Sequence, residues 1–232
     1  RNLAAQQLDL PAEGAAIVGE NAQGQTTLLE ASYSLETFRS FRGTRADRRV
    51  AFGQEVFRVV GALEGAGGID SVEVAAAYQL RGKRKKVTVD GREPHRLGDG
   101  LGRLAAVIFS PGDVGLVSEG PGARRRFLDI VLSLNVPGYL QRLQQFKQIL
   151  TQRNAALRNG QGGQHVQSWD PGLVAHGARV MEERLNWVDR WKDSFSGYFR
   201  RVSGSRPGQM DYQPGVRLEG ARDAESIGEA FK

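Results

Sequence analysis

The sequence predicts an α/β lobe that opens strand–turn–helix and carries an inserted antiparallel helical hairpin. Three observations predict it. A glycine-bounded turn at residues 19–26 separates the apolar run 15–18 from a helical stretch. Apolar residues alternate in short runs between positions 55 and 89. From about residue 123 to about residue 200 the apolar spacing changes to threes and fours, the period of a helix with one buried face.

The elements follow in order. Residues 8–10 and 15–18 read as short strands, and residues 27–35 as a helix burying Leu28, Leu29, Ser32 and Leu35. An arginine-rich loop spans 39–49. Residues 55–63 and 71–80 read as a strand pair joined at a glycine turn, residues 65–68. A further strand, 85–89, ends at Asp90-Gly91, a pair suited to a tight hairpin turn because both residues tolerate positive φ. Residues 104–109 are wholly apolar and read as a buried strand stopped by Ser110-Pro111-Gly112. In the helical part, Tyr139, Leu143, Phe146, Leu150 and Leu157 form one seam. After a polar break, 158–168, Val174, Met181, Leu185, Val188, Phe195 and Phe199 form a second, so the two helices read as a hairpin. From residue 203 the chain turns polar and rich in glycine and proline.

Composition narrows the function. There is no cysteine, which excludes disulfides and thiolate metal sites, and His95, His165 and His176 lack the spacing of metal ligands. No run of eighteen apolar residues occurs, so no membrane span is expected. The net charge of +6 fits a polyanionic partner, nucleic acid before anionic membrane, or simply a basic protein.

The turn Gly19, Glu20, Asn21, Ala22, Gln23, Gly24, Gln25, Thr26 fits the phosphate-loop pattern G-x-x-x-x-G-x-T, with an apolar run before it and a helix after it. Glycines let backbone N–H groups turn toward phosphates, the helix adds the positive end of its dipole, and Thr26 offers Mg²⁺ a hydroxyl. One element differs: Gln25 stands where the pattern has lysine. A neutral amide forfeits much of a charge-assisted hydrogen bond, so ATP affinity is expected to fall by roughly ten- to a hundred-fold.

Residues 18–31 resemble the phosphate loop of the RecF family, save for Gln25. Arg1, Asn2 and Leu3 resemble that family's first-strand motif. Phe38, Arg39, Ser40, Phe41 and Arg42 resemble its arginine segment, and the runs 107–113, 116–121 and 124–129 its central block. Gln152, Arg153 and Asn154, then Trp169 and Asp170, resemble its helical arm. The blocks keep their order to about residue 200. The resemblance implies an ABC/SMC-type ATPase head, partial and with a mixed sheet, carrying an inserted arm. It divides the chain into a lobe at 1–118, an arm at 119–202 and the start of a return into the lobe at 203–232.

The same resemblance implies ATP and Mg²⁺ as ligands. Gly19, Glu20, Asn21, Ala22, Gln23, Gly24, Gln25, Thr26 and Thr27 would contact the nucleotide, with Arg39 and Arg42 beside it and Thr26 on the metal. It further implies a cytoplasmic protein that dimerises on DNA when ATP is bound. Recognition of single-strand/double-strand junctions, partners of the RecR and RecO type, and RecA loading would follow. No Walker B acid pair or signature loop is found, since Ser110 follows the apolar run 104–109. The family places both motifs farther toward the carboxyl end, so no ATPase activity is expected of this chain; phosphate release abolished by Thr26→Ala would show otherwise. A non-catalytic scaffold of the same fold is the alternative, favoured by Gln25.

Basic clusters suggest where DNA would lie. Lys83, Arg84, Lys85 and Lys86 are consecutive, as are Arg124, Arg125 and Arg126, and five arginines fall within 39–49. Such cations bind phosphates by releasing counterions, without reading bases. A charged, protected hairpin edge is the other reading of 83–86.

Overall fold

The computed structural model describes residues 3–64, 71–160, 163–218 and 222–231. Arg1, Asn2 and the glycine turn expected at 65–68 lie outside the described residues. The chain divides into two units, Arg1–Ser118 and Glu119–Lys232.

In the first unit, helix α1 (Gln25–Thr37) packs on three antiparallel strands, β1 (Val56–Leu63), β2 (Val72–Gln79) and β3 (Arg84–Val89), in the order β1-β2-β3. Cross-strand partners share a face. The rows Val59–Ala76–Val87 and Phe57–Tyr78–Lys85 therefore look the same way, and Arg58–Ala77–Lys86 looks the other. The first of these rows joins Leu35 and Phe38 of the α1 end in the core. Asp90 and Gly91 take φ values of 49° and 75°, and Val89 and Arg92 exchange backbone hydrogen bonds across the turn. That is the tight turn the dipeptide predicts.

Gly61 shows how closely α1 seats. A Cβ there would stand 2.4 Å from Leu35 Cδ1 and 3.1 Å from Leu104 Cδ1. Leu35 is buried and cannot swing away. Gly61→Ala is expected to destabilise this unit by about 1–3 kcal/mol, the range for overpacking. Faster hydrogen exchange across α1 in the variant checks it; unchanged exchange would reject the tight seat.

Several expected strands are absent. Residues 8–10, 15–18 and 104–109 form no strand and join no ladder, and among the described residues the sheet is antiparallel, not mixed. A strand exists only where a neighbour completes its backbone hydrogen bonds, and apolar composition does not supply the neighbour. Val18 and Phe109 stand 89% and 92% exposed. The 104–106 segment is tied down differently: Leu104 enters the core, and the Ala106 N–H bonds to the Glu36 carboxylate. Burial nevertheless raises the Glu36 pKa above its ordinary value. The buried face of α1 is also turned from the expected one. Glu30, Ser34 and Leu35 are inside, while Leu29 is half exposed. Leu35 and the following Phe38 orient the helix, and apolar spacing over the first two turns does not. Beyond the 3₁₀ turn Pro111–Val114 comes a single-turn helix, α2 (Gly115–Ser118).

The second unit is helical: α3 (Pro121–Asn135), α4 (Tyr139–Arg158), α5 (Gly163–Gln167), α6 (Asp170–Val202) and α7 (Ala224–Ala230). α4 and α6 run antiparallel, pinned by Arg153–Asp170 at 2.8 Å at one end and Arg142–Glu183 at 3.5 Å nearer the other. Tyr139, Leu143, Val180 and Val188 share a core with Leu128 and Leu132 of α3. Of the predicted seam, Tyr139, Leu143 and Val188 face this core, whereas Met181 and Leu185 turn to a second cluster with Ile227; Phe195 and Phe199, later on α6, and Leu157, at the hairpin's other end, are partly exposed. The segment after Val202, read from sequence as a return into the first lobe, packs along α6. Met210 and Tyr212 reach one apolar cluster, and Val216, Leu218 and the fully buried Ile227 another. Gly177 lets this happen, since a Cβ there would meet Phe146 at 2.9 Å and Phe231 at 3.0 Å.

Within the arm lies a buried polar network that sequence reading missed. Asp129 Oδ1 accepts from Arg184 Nη2 at 2.6 Å and from the Tyr139 hydroxyl at 2.8 Å, and Oδ2 accepts from Lys147 Nζ at 3.0 Å. Arg184 also donates to the hydroxyls of Tyr139 and Tyr212. Burial opposes ionisation of Asp129, but the hydrogen bond and charge of Arg184, helped by Tyr139 and Lys147, hold its pKa below the ordinary carboxylate value.

Candidate nucleotide-binding loop

The loop 19–26 is built locally. Ala22 and Gly24 both take left-handed backbone, φ 67° and 108°. Gly24 can do so without a Cβ penalty, whereas Ala22 carries a modest strain. Gly24 is the N-cap of α1, and no side chain caps the helix there. The first amides of a helix have no carbonyl one turn earlier, so the positive end of α1 faces the loop. Leu28 N–H already closes the first helical turn on the Gly24 carbonyl at 2.9 Å. Residues 19–23 and Thr26 are exposed, Gly24 is buried, and Gln25 and Thr27 are half-buried. A cavity of about 210 Å³ lies beside the loop, between Gln23, Gly24 and Gln25 on one side and Leu8, Ile17 and Val18 on the other.

Gln25 is turned back into the loop. Its Nε2 donates to the Glu20 carbonyl at 3.2 Å and lies 2.9 Å from where a Gly19 Cβ would be. A Cβ at Gly19 would make the end of the flexible Gln25 side chain shift. The uncapped helix end, the glycine at φ 108° and the threonine hydroxyl fit a nucleotide phosphate and its Mg²⁺. The side-chain charge that usually completes such a cradle is replaced by an amide committed to a backbone carbonyl.

The other predicted contacts are not gathered at this loop. Arg42 lies 3.9 Å from Glu30, part-way along α1. Arg39 follows the far end of the helix, about 20 Å from the loop at 1.5 Å per residue. The pleat divides the basic run 83–86. Lys83 sits in the turn before β3 at φ 50°. Arg84 and Lys86 take one face of β3, and Lys86 pairs with Glu93 at 2.8 Å. Lys85 takes the face toward α1, where its ammonium donates to the Phe38 carbonyl. Partial burial, then the charges of Arg49 and Arg39, push the Lys85 pKa down to about 8. Arg124 and Arg125 belong to the second unit, in the first turns of α3, and Arg124 bonds back to the Glu119 carbonyl at 3.0 Å. Arg49 emerges as an unanticipated partner of Lys85; only the density of arginines in 39–49 hinted at it.

A glycine loop opening a helix on a sheet, with a helical arm in the same chain, defines a phosphate-loop nucleotide-binding fold. No protein-family model matches the chain. It is 33% identical over 210 residues to the DNA replication and repair protein RecF of Caldanaerobacter subterraneus subsp. tengcongensis, which covers 89% of this chain and 57% of that protein. It is 37% identical over 227 residues to RecF of a Synechococcus species, covering 94% of this chain and 58% of that one. A solved structure of the recombination mediator protein RecF with ATP superposes with a TM-score of 0.81 at 30% identity, over 92% of this chain and 58% of that one. The fold is that of an ABC-type ATPase head, and the chain is RecF-like. It spans somewhat more than half the length of the curated relatives it matches. Among the described residues no helix is long and apolar enough to cross a membrane.

Proposed function

We propose that this chain supplies the phosphate-loop and arm portion of a RecF-type protein of recombinational DNA repair and replication-fork maintenance, binding ATP weakly and DNA through its basic surface. One observation carries the reading: the loop 19–26 presents the uncapped amino-terminal end of α1, with Gly24 in the left-handed conformation that such a cradle needs. The loop amides would hold the β- and γ-phosphates, and the exposed Thr26 hydroxyl would hold Mg²⁺. Bound Mg²⁺ would offset phosphate charge. By the same reading the protein dimerises when ATP is bound and works at single-strand/double-strand junctions with partners of the RecR and RecO type to load RecA.

A second reading has one observation in its favour. Gln25 spends its amide on the Glu20 carbonyl, which suits a scaffold of this fold that no longer takes nucleotide. Titration of the full-length protein with a fluorescent ATP analogue and Mg²⁺ separates the two. Saturable binding that is weakened by Thr26→Ala is expected. No binding, with or without the substitution, would leave the scaffold reading standing.

A further inference from the structure

We propose that Arg39, Arg49 and Lys85 together hold a DNA backbone phosphate, at a site distinct from the phosphate loop. The proposal rests on the DNA-binding reading above and adds the place and the residues.

The three cations come from separate elements. Arg39 follows α1, Arg49 ends the 3₁₀ turn Ala46–Arg49, and Lys85 lies on β3. The geometry brings them together: Lys85 Nζ donates to the carbonyl of Phe38, the residue before Arg39, and the Arg49 guanidinium lies over Phe57, which shares the face of Lys85 in the row Phe57–Tyr78–Lys85. Among the described residues, none of the three has a carboxylate within ion-pair distance. Glu30 is near enough to attract Arg49 but lies closer to Arg42. The Arg49 guanidinium stacks over the Phe57 ring, 4.8 Å from its centroid, and its buried Nε has no hydrogen-bond partner. Stacking orients this donor fork before any ligand arrives.

A purely structural account covers only part of this. Lys85 caps the carboxyl end of α1, whose partial negative charge favours a cation. That end carries about half an elementary charge, too little to balance three cations. Glu30 adds one carboxylate, but it is shared between Arg42 and Arg49; gathering like charges with so little counter-charge is costly for a fold and useful for an anion site. The nucleotide bound at the loop is not the missing anion, because α1 separates the two sites by about 20 Å. A DNA backbone phosphate needs only cations on an accessible surface, and Arg39 and Lys85 are exposed.

The test measures binding of the full-length protein to a fluorescein-labelled gapped duplex across a salt titration, with binding of the ATP analogue measured in parallel. The double variant Arg39→Gln/Lys85→Gln is expected to bind DNA about ten-fold more weakly, to flatten the log–log salt slope by about 1, and to keep its nucleotide affinity. Arg39→Gln alone changes an exposed side chain and should show part of the same change. Arg58→Gln, on the opposite face of the sheet, removes equal charge and should leave the slope alone. Wild-type affinity and slope in the double variant would overturn the site, as would an equal loss in Arg58→Gln. A fall in nucleotide affinity without a fall in DNA binding would assign the cluster to the nucleotide and overturn it too. If the wild-type protein itself does not bind DNA, the broader reading fails as well, and the two failures are told apart by that measurement.

Discussion

Replacing Gln25 by lysine is expected to tighten Mg²⁺–ATP binding by roughly ten- to a hundred-fold, the worth of about 1.5–3 kcal/mol for a hydrogen bond to a charged group. The physical basis lies in what the glutamine does. Its amide donates to the Glu20 carbonyl at 3.2 Å, so the side chain closes on its own loop. Phosphate entry must displace that bond and gains no charge in return. A lysine stem is longer, and its ammonium would extend past Glu20 toward a bound phosphate. Gly19 leaves room for either side chain, because no Cβ stands in the path. Isothermal titration of both forms with ATP and Mg²⁺ checks the size of the gain. A lysine form that binds no more tightly would mean that the missing charge is not what limits binding. A glutamine form that binds as tightly as a lysine-bearing relative would lead to the same conclusion.

The largest expected effect on stability is in the arm. Asp129→Leu leaves the Arg184 guanidinium buried without its carboxylate and is expected to cost about 3–5 kcal/mol. The double replacement Asp129→Leu/Arg184→Leu should recover most of that loss, since apolar packing often replaces a buried ion pair at little net cost. All three tryptophans, Trp169, Trp187 and Trp191, lie in the second unit, and Trp187 packs on the cluster that holds Tyr139. Tryptophan fluorescence during denaturant unfolding therefore reports this unit and not the first. Folding holds the Asp129 pKa below its unfolded value of about 3.9. The stabilisation is accordingly complete above that pH and is lost as pH falls through the lower, folded-state value. Wild-type protein should lose arm stability across that acid window more steeply than the double variant. Parallel pH profiles, or a single variant as stable as wild type, would show that the network contributes little.

Local patterns carried much of the way. A glycine loop between an apolar run and a helix is legible because a turn and a helix start depend on neighbouring residues, and the structure builds both at 19–26. The Asp90-Gly91 turn and the strands flanking it are legible for the same reason. The α4–α6 seam follows from spacing only in part: Tyr139, Leu143 and Val188 meet there, while Met181 and Leu185 pack on Ile227. Resemblance in ordered blocks pointed to RecF, and similarity along nearly the whole chain agrees.

What tertiary structure decided was everything that depends on a partner far along the chain. The apolar runs 8–10, 15–18 and 104–109 look like strands to any local rule, but a ladder needs a second backbone, and none of the described residues provides it. The run 83–86 reads as one basic cluster; the pleat sends Lys85 to one face and Arg84 and Lys86 to the other, and only the packing of α1 says which face matters. Asp129 and Arg184 stand 55 residues apart, with nothing in either neighbourhood to announce a buried pair. The meeting of Arg39, Arg49 and Lys85 is of the same kind. Sequence alone determined the phosphate loop, its missing lysine and the arm, because short-range geometry specifies them. The convergence of charges, in the arm and at the end of α1, belongs to the folded chain, since it is set by which surfaces close on one another.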